Sequence, residues 1–179
     1  MPRVFWVNSL ERLAVLLAML TVAAFALLLG RPSFTNASKP PRFGDPVLAL
    51  QFARDVQDVD WILGDAPSPD REVMRVKQYV DFAFITCYTG LFLALAALAI
   101  RKGGWRQMLG IAAGICGFSA GVFDVLENRA ILNLLDVPLR ATTPAMIQAI
   151  RSPSTAKWIL AGVTVVLLAA SFLRIPKTS

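Results

Sequence analysis

Residues 105–128 read WRQMLGIAAGICGFSAGVFDVLEN. The stretch opens on a tryptophan and an arginine, carries no charge from Gln107 to Phe123, and closes on Asp124-Val125-Leu126-Glu127-Asn128. As a helix at about 1.5 Å per residue, the uncharged part is long enough to cross most of a hydrocarbon core of about 30 Å. Gly110, Gly114, Gly117 and Gly121 follow a four-three-four spacing, which lines them along one stripe. Small residues on one stripe let a neighbouring helix approach closely in a bilayer. The same spacing continued reaches Asp124 and Asn128, so these side chains point towards protein and away from lipid, with Glu127 one step round.

Three further apolar runs flank this one. Leu13 to Leu29 has Thr21 as its only polar member and sits between Arg12 and Arg31. Phe82 to Ile100 ends on Arg101-Lys102-Gly103-Gly104, and a last run from about Trp158 to Leu173 is closed by Arg174 and Pro176. Trp105 and Trp158 stand where interfacial aromatics belong. The reading is an all-α membrane protein of one domain, 1–179. It is a four-transmembrane-helix bundle with spans at about 13–30, 80–100, 105–128 and 157–174. For the first run, a cleaved signal peptide is the rival reading; its apolar length favours a retained helix.

Composition agrees: 56% of residues are hydrophobic and 17% charged, too greasy a balance for an ordinary soluble domain of 179 residues. The net charge of +6 does not point to nucleic acid, because the basic residues flank apolar runs and form no polar basic face. Residues 1–12, 101–106 and 174–179 hold seven of the 18 basic residues and only Glu11 among the acids. That density predicts cytoplasmic termini, with segments of about 31–77 and 130–156 outside the cytoplasm, in a bacterial inner membrane. The Arg101-Lys102-Arg106 loop is also placed to touch anionic lipid. Asn36-Ala37-Ser38 has the form of a glycosylation acceptor, which acts only in a glycosylating lumen.

The first outer segment is patterned. Asp45 suits a helix N-cap, Pro46 its first turn and Gly64 its end. Between them Leu48, Phe52, Val56, Val59 and Leu63 recur at helical spacing, with Arg54 and Asp58 paired on the polar side. This predicts one amphipathic helix from Asp45 to Gly64, capping the outer end of the bundle. Ser68-Pro69-Asp70 starts the next helix, and Thr143-Pro144 and Ser152-Pro153 bracket a short helix in the second outer segment.

Chemistry points to one place. The second and third spans run antiparallel, so Asp81 falls at the level of Asp124, Glu127 and Asn128, with Tyr88 on the same face about 10 Å deeper. Acids at the edge of hydrocarbon need partners and are functional candidates. The sequence has no histidine, and its two cysteines, Cys87 and Cys116, lie inside apolar runs as small buried hydrophobes. Zinc, haem and copper therefore lack their usual ligands, and a metal here would be a hard divalent cation such as Ca²⁺ or Mg²⁺ on Asp81, Asp124 and Glu127. A ligand site would use Asp81, Tyr88, Asp124, Glu127 and Asn128. Alternatively, Lys77, Arg75 and Arg129 neutralise the acids and lock the helices together.

Three stretches, Leu48-Ala49-Leu50-Gln51-Phe52-Ala53, Val80-Asp81-Phe82-Ala83-Phe84 and Phe123-Asp124-Val125-Leu126-Glu127-Asn128, carry a resemblance. Over residues 45–135 the chain resembles uncharacterised small bacterial four-transmembrane-helix membrane proteins with an Asp-x-x-Glu-Asn element. The resemblance implies that the outer helix, the Asp81 face and that element belong together, and it brings no activity. The leading expectation is binding of a small ligand, lipid headgroup or cation at the carboxylate cluster. Its rivals are a membrane-embedded metal-assisted hydrolase acting on an amphiphile, and an assembly subunit whose acids pair with a partner membrane protein.

Overall fold

The computed structural model describes residues 9–30, 33–35 and 45–173. The expected acceptor at Asn36 and the basic residues Arg3, Arg31 and Arg174 lie outside the described residues. The elements are α1 (Ser9–Leu29), α2 (Pro46–Gln51), α3 (Val56–Leu63), α4 (Pro69–Ile100), α5 (Gly104–Leu135), a 3₁₀ turn (Leu139–Ala141) and α6 (Pro144–Phe172). Among the described residues every regular element is helical. The helices α1, α4, α5 and α6 are each long and apolar enough to cross a bilayer, and the chain is an all-α integral membrane protein.

The turn between α4 and α5 is tight, with Gly103 and Gly104 at φ of 69° and 59°, a left-handed conformation that side chains disfavour. Both helices have 32 residues, about 48 Å, so they outrun a hydrocarbon core by about 18 Å. Because the turn is short, the excess lies at the other end, where α2 and α3 sit.

The buried positions of α5 include Gly110, Ala113, Gly117, Ala120, Asp124, Glu127, Ile131 and Leu134, a three-four alternation. Those of α6 are Ile147, Ile150, Ser154, Lys157, Thr164, Leu168 and Ser171, the same alternation with one position less buried. Two such seams pack side by side as in a coiled coil, and α5 accordingly lies against α4 on one flank and α6 on the other. The glycine stripe faces α4: a Cβ on Gly121 would stand 2.3 Å from Thr89 Oγ1, and one on Gly117 2.9 Å from Phe92 Cβ. The helix α1 packs on α4 through Leu17 at Gly90 and through Phe25 against Phe84, whose ring centroids are 5.8 Å apart.

Two expected boundaries are corrected. The Asp45–Gly64 segment has the expected caps, Asp45 accepting from the Leu48 N–H and Gly64 closing at φ 68°, but it is two helices. Asp55 accepts from the Asp58 N–H while the buried Asp58 carboxylate accepts from the Arg54 N–H, so two reciprocal side-chain caps outcompete helix continuation. Asp58 thus binds the backbone of Arg54 and does not lie on a solvent face. The second correction is at Ser152-Pro153, which starts no helix: Pro153 lies inside α6. Ile150, Ser154 and Lys157 hold the same seam on both sides of it, and packing on α5 outweighs the lost backbone bond.

The cap covers the open end of the bundle. Ala49, Leu50, Ala53, Val59, Ile62 and Leu63 join Met74 of α4, Ile131, Leu134 and Leu135 of α5, and Ile147 and Ile150 of α6 in one apolar core. Val59 is fully buried there, while Leu48 and Phe52 are half-buried. Arg71, also buried, fastens the parts together. Its guanidinium donates to the carbonyls of Gly64 at the end of α3, Leu134 and Leu135 at the end of α5, and Val137 beyond it. A cation there satisfies helix-end carbonyls and faces the negative end of the α5 dipole.

Candidate functional site

Asp81 and Asp124 each stand about 20 residues, or about 30 Å, from the tight turn, which puts them at the far edge of the hydrocarbon, beneath the cap. The coiled-coil register of α5 turns Asp124, Glu127 and Asn128 inward, and all three are buried. The register of α6 brings Lys157 to the same level. Its Nζ lies 2.7 Å from Asp124 Oδ1, and 3.0 and 2.9 Å from the two oxygens of Glu127. The second Asp124 oxygen accepts from the Tyr88 hydroxyl of α4 at 2.9 Å. Asn128 Nδ2 donates to Asp81 Oδ2 at 2.7 Å, so α4, α5 and α6 are joined across one polar layer.

All five expected ligand-site residues therefore meet in this layer. The residue missing from the sequence reading is Lys157. The three expected counter-charges act elsewhere: Lys77 Nζ donates to the Leu28 and Gly30 carbonyls and so closes the end of α1. Arg75 pairs with Glu72 and Asp136, and Arg129 is exposed. Among the described residues no group of three or more acidic or cysteine side chains is arranged to hold a metal ion. Instead of closing on one another as a triad, Asp124 and Glu127 close on the Lys157 ammonium.

Three carboxylates meet one ammonium in this layer, an excess of two negative charges when all are ionised. Lys157 serves Asp124 and Glu127. Among the described residues Asp81 has only the Asn128 amide, and it is half-buried where the other acids are fully enclosed. Beside it the Asn128 Oδ1 atom is buried with no hydrogen-bond donor, as is Gln78 Oε1 one turn away on α4. A buried acceptor without a donor costs about 1–3 kcal/mol, which a bound donor or cation would recover. The cap reaches the layer from above: Trp158, next to Lys157, donates from Nε1 to Gln51 Oε1 of α2 at 3.1 Å.

Outside the bundle, Asp65 in the turn between α3 and α4 accepts from the Leu139 and Ala66 N–H groups, both at 2.8 Å. These bonds hold its carboxyl below the ordinary value of 3.8 and tie the cap to the α5–α6 connection.

Comparison with family models, with curated proteins and with solved structures finds no match.

Proposed function

We propose that this protein is a binding protein of a bacterial inner membrane, with cytoplasmic termini and an extracytoplasmic cap, and that its polar layer takes up a cationic group. The observation that carries the reading is the uncompensated acceptor set, the half-buried Asp81 beside the donor-less Asn128 Oδ1, in a layer whose acids outnumber its one cation. An ammonium group suits it better than a divalent metal. Ca²⁺ requires six to eight converging oxygens, whereas an ammonium donates three separate hydrogen bonds to scattered acceptors.

The test is thermal stability of the purified protein in detergent, titrated with butylammonium, Mg²⁺ and Ca²⁺. Binding to the native state raises stability by about 2.7 kcal/mol at a hundredfold excess over Kd. Butylammonium is expected to raise the midpoint, and Asp81→Asn to abolish the increment. No response to any of the three cations would overturn the reading and leave the layer as a lock between helices. For orientation, Gln57→Cys is expected to react with an impermeant thiol reagent added outside intact cells; reaction only after lysis would reverse the topology.

A further inference from the structure

The Lys157 amine nitrogen stands between two carboxyl groups, 2.7 Å from Asp124 Oδ1 and 2.9 and 3.0 Å from the oxygens of Glu127. All three side chains are buried. A nitrogen that close to one carboxyl oxygen lies within about 3.5 Å of the carboxyl carbon, the separation of a near-attack pair. An ordinary buried ion pair goes no further, for two reasons. Its nitrogen must shed two protons before an amide can form, and an ionised carboxylate repels a nucleophile. Here each obstacle is met by a side chain of its own. Glu127 touches Nζ and is placed to carry the second proton. The Tyr88 hydroxyl donates to Asp124 Oδ2 at 2.9 Å, the oxygen on which negative charge gathers when the carbon is attacked.

We propose that Lys157 and Asp124 condense into an isopeptide bond that joins α5 to α6 covalently, with the ion pair as its reactant. Nζ passes one proton to Asp124 Oδ1 along the hydrogen bond between them, which leaves a neutral amine and a neutral acid. The nitrogen lone pair then forms the C–N bond at Cγ of Asp124 while Glu127 takes a second proton from the nitrogen. Glu127 returns that proton to the Oδ1 hydroxyl, the C–O bond breaks and one water leaves. Oδ2 remains as the amide carbonyl and still accepts from Tyr88. Carboxylate and ammonium thus become amide and water, Glu127 ends as it began, and no cofactor or oxidant is consumed. Asp124 and not Glu127 is the acyl group because the Tyr88 hydroxyl bonds Asp124. The apolar core above the layer favours the product, since a site that excludes water lacks the reactant that hydrolysis needs. One positive and one negative charge disappear together, so the layer keeps its excess of two negative charges. The cation-binding reading is therefore tested apart from this one.

The experiment is intact-mass spectrometry of the full chain purified in detergent, followed by tandem mass spectrometry of its proteolytic fragments. The expected mass lies about 18 Da below that of the uncondensed chain, one water, with a fragment that joins Lys157 to Asp124. Lys157→Arg is expected to recover the full mass. So is Glu127→Gln, which keeps both reacting groups, with its helix content verified by circular dichroism. A full mass in the unaltered protein after prolonged incubation at neutral pH would overturn the proposal, as would a loss of water mapped to other residues. A linkage of Lys157 to Glu127 would overturn the assignment of Asp124 as acyl group. An undiminished loss of water in folded Glu127→Gln would overturn the part given to Glu127. The mass and the linkage are read on the unaltered protein, so they decide even where a variant fails to fold.

Discussion

Replacing Lys157 by methionine removes the one ammonium in the polar layer and keeps the length of the side chain. Asp124 and Glu127 are then left facing each other, their side chains 5% and 0% exposed. Breaking one partner out of a buried ion pair costs about 3–5 kcal/mol. An independent route gives a similar figure. One proton shared by the two carboxyls would replace the lost positive charge, and neutralising a glutamate of ordinary pKa, about 4.3, at pH 7 costs about 3.7 kcal/mol at 1.36 kcal/mol per unit. The expected loss is therefore about 4 kcal/mol, read from reversible unfolding in mixed detergent micelles. Adding Asp124→Asn and Glu127→Gln to Lys157→Met should restore most of the stability, because no uncompensated charge remains. A loss below about 1 kcal/mol would mean that water reaches the layer and that the contacts carry little energy.

Arg71→Met should cost at least about 3 kcal/mol, since hydrogen bonds to a charged group contribute about 1.5–3 kcal/mol each and four backbone carbonyls lose theirs; Arg71→Lys, without the fork, should recover only part. Gly121→Ala places a Cβ 2.3 Å from Thr89 Oγ1 and should destabilise by about 1–3 kcal/mol, whereas Gly162→Ala meets nothing within 4 Å and should be neutral or stabilising, both read from the same unfolding curves. The depressed carboxyl of Asp65 contributes stability above its unfolded pKa that is lost as pH falls through the folded value. The protection factor of the Leu139 amide, its exchange rate relative to an unstructured amide at the same pH, should therefore fall below about pH 4, and be low at every pH in Asp65→Ala.

The four spans were legible because hydrocarbon imposes one rule on all of them, a long run without charge. The inward aim of Asp124 and Asn128 was legible for a related reason: both continue the glycine stripe, and a helix fixes direction by spacing alone. Lys157 escaped because its partners are remote in sequence, and a single lysine beside Trp158 looks like the end of a span. Its signal was present in the three-four spacing of Ile147, Ile150, Ser154 and Lys157, which carries the core seam straight through Pro153. The break in the cap was hidden in the opposite way. Leu48, Phe52, Val56 and Val59 keep helical spacing across it, and the interruption comes from Asp55 and Asp58, whose side chains take backbone N–H groups that a continuous helix would use.

The cap and the polar layer should be energetically coupled, because the apolar core that includes Leu63 of α3 also takes in Ile131, one turn beyond Glu127, and Ile150, two turns before Lys157. Excluding water there strengthens every interaction among Lys157, Asp124 and Glu127. Leu63→Ala empties a fully buried position and should cost about 2–5 kcal/mol by itself. Combined with Lys157→Met, the loss should be smaller than the sum of the two, since a loosened cap admits water that solvates the orphaned carboxylates. A double-mutant cycle measures the difference, expected at about 1–2 kcal/mol within the range found for coupled neighbours. Additivity to within about 0.5 kcal/mol would mean that the cap opens as a separate unit, and that the dryness of the layer is set by α4, α5 and α6 alone.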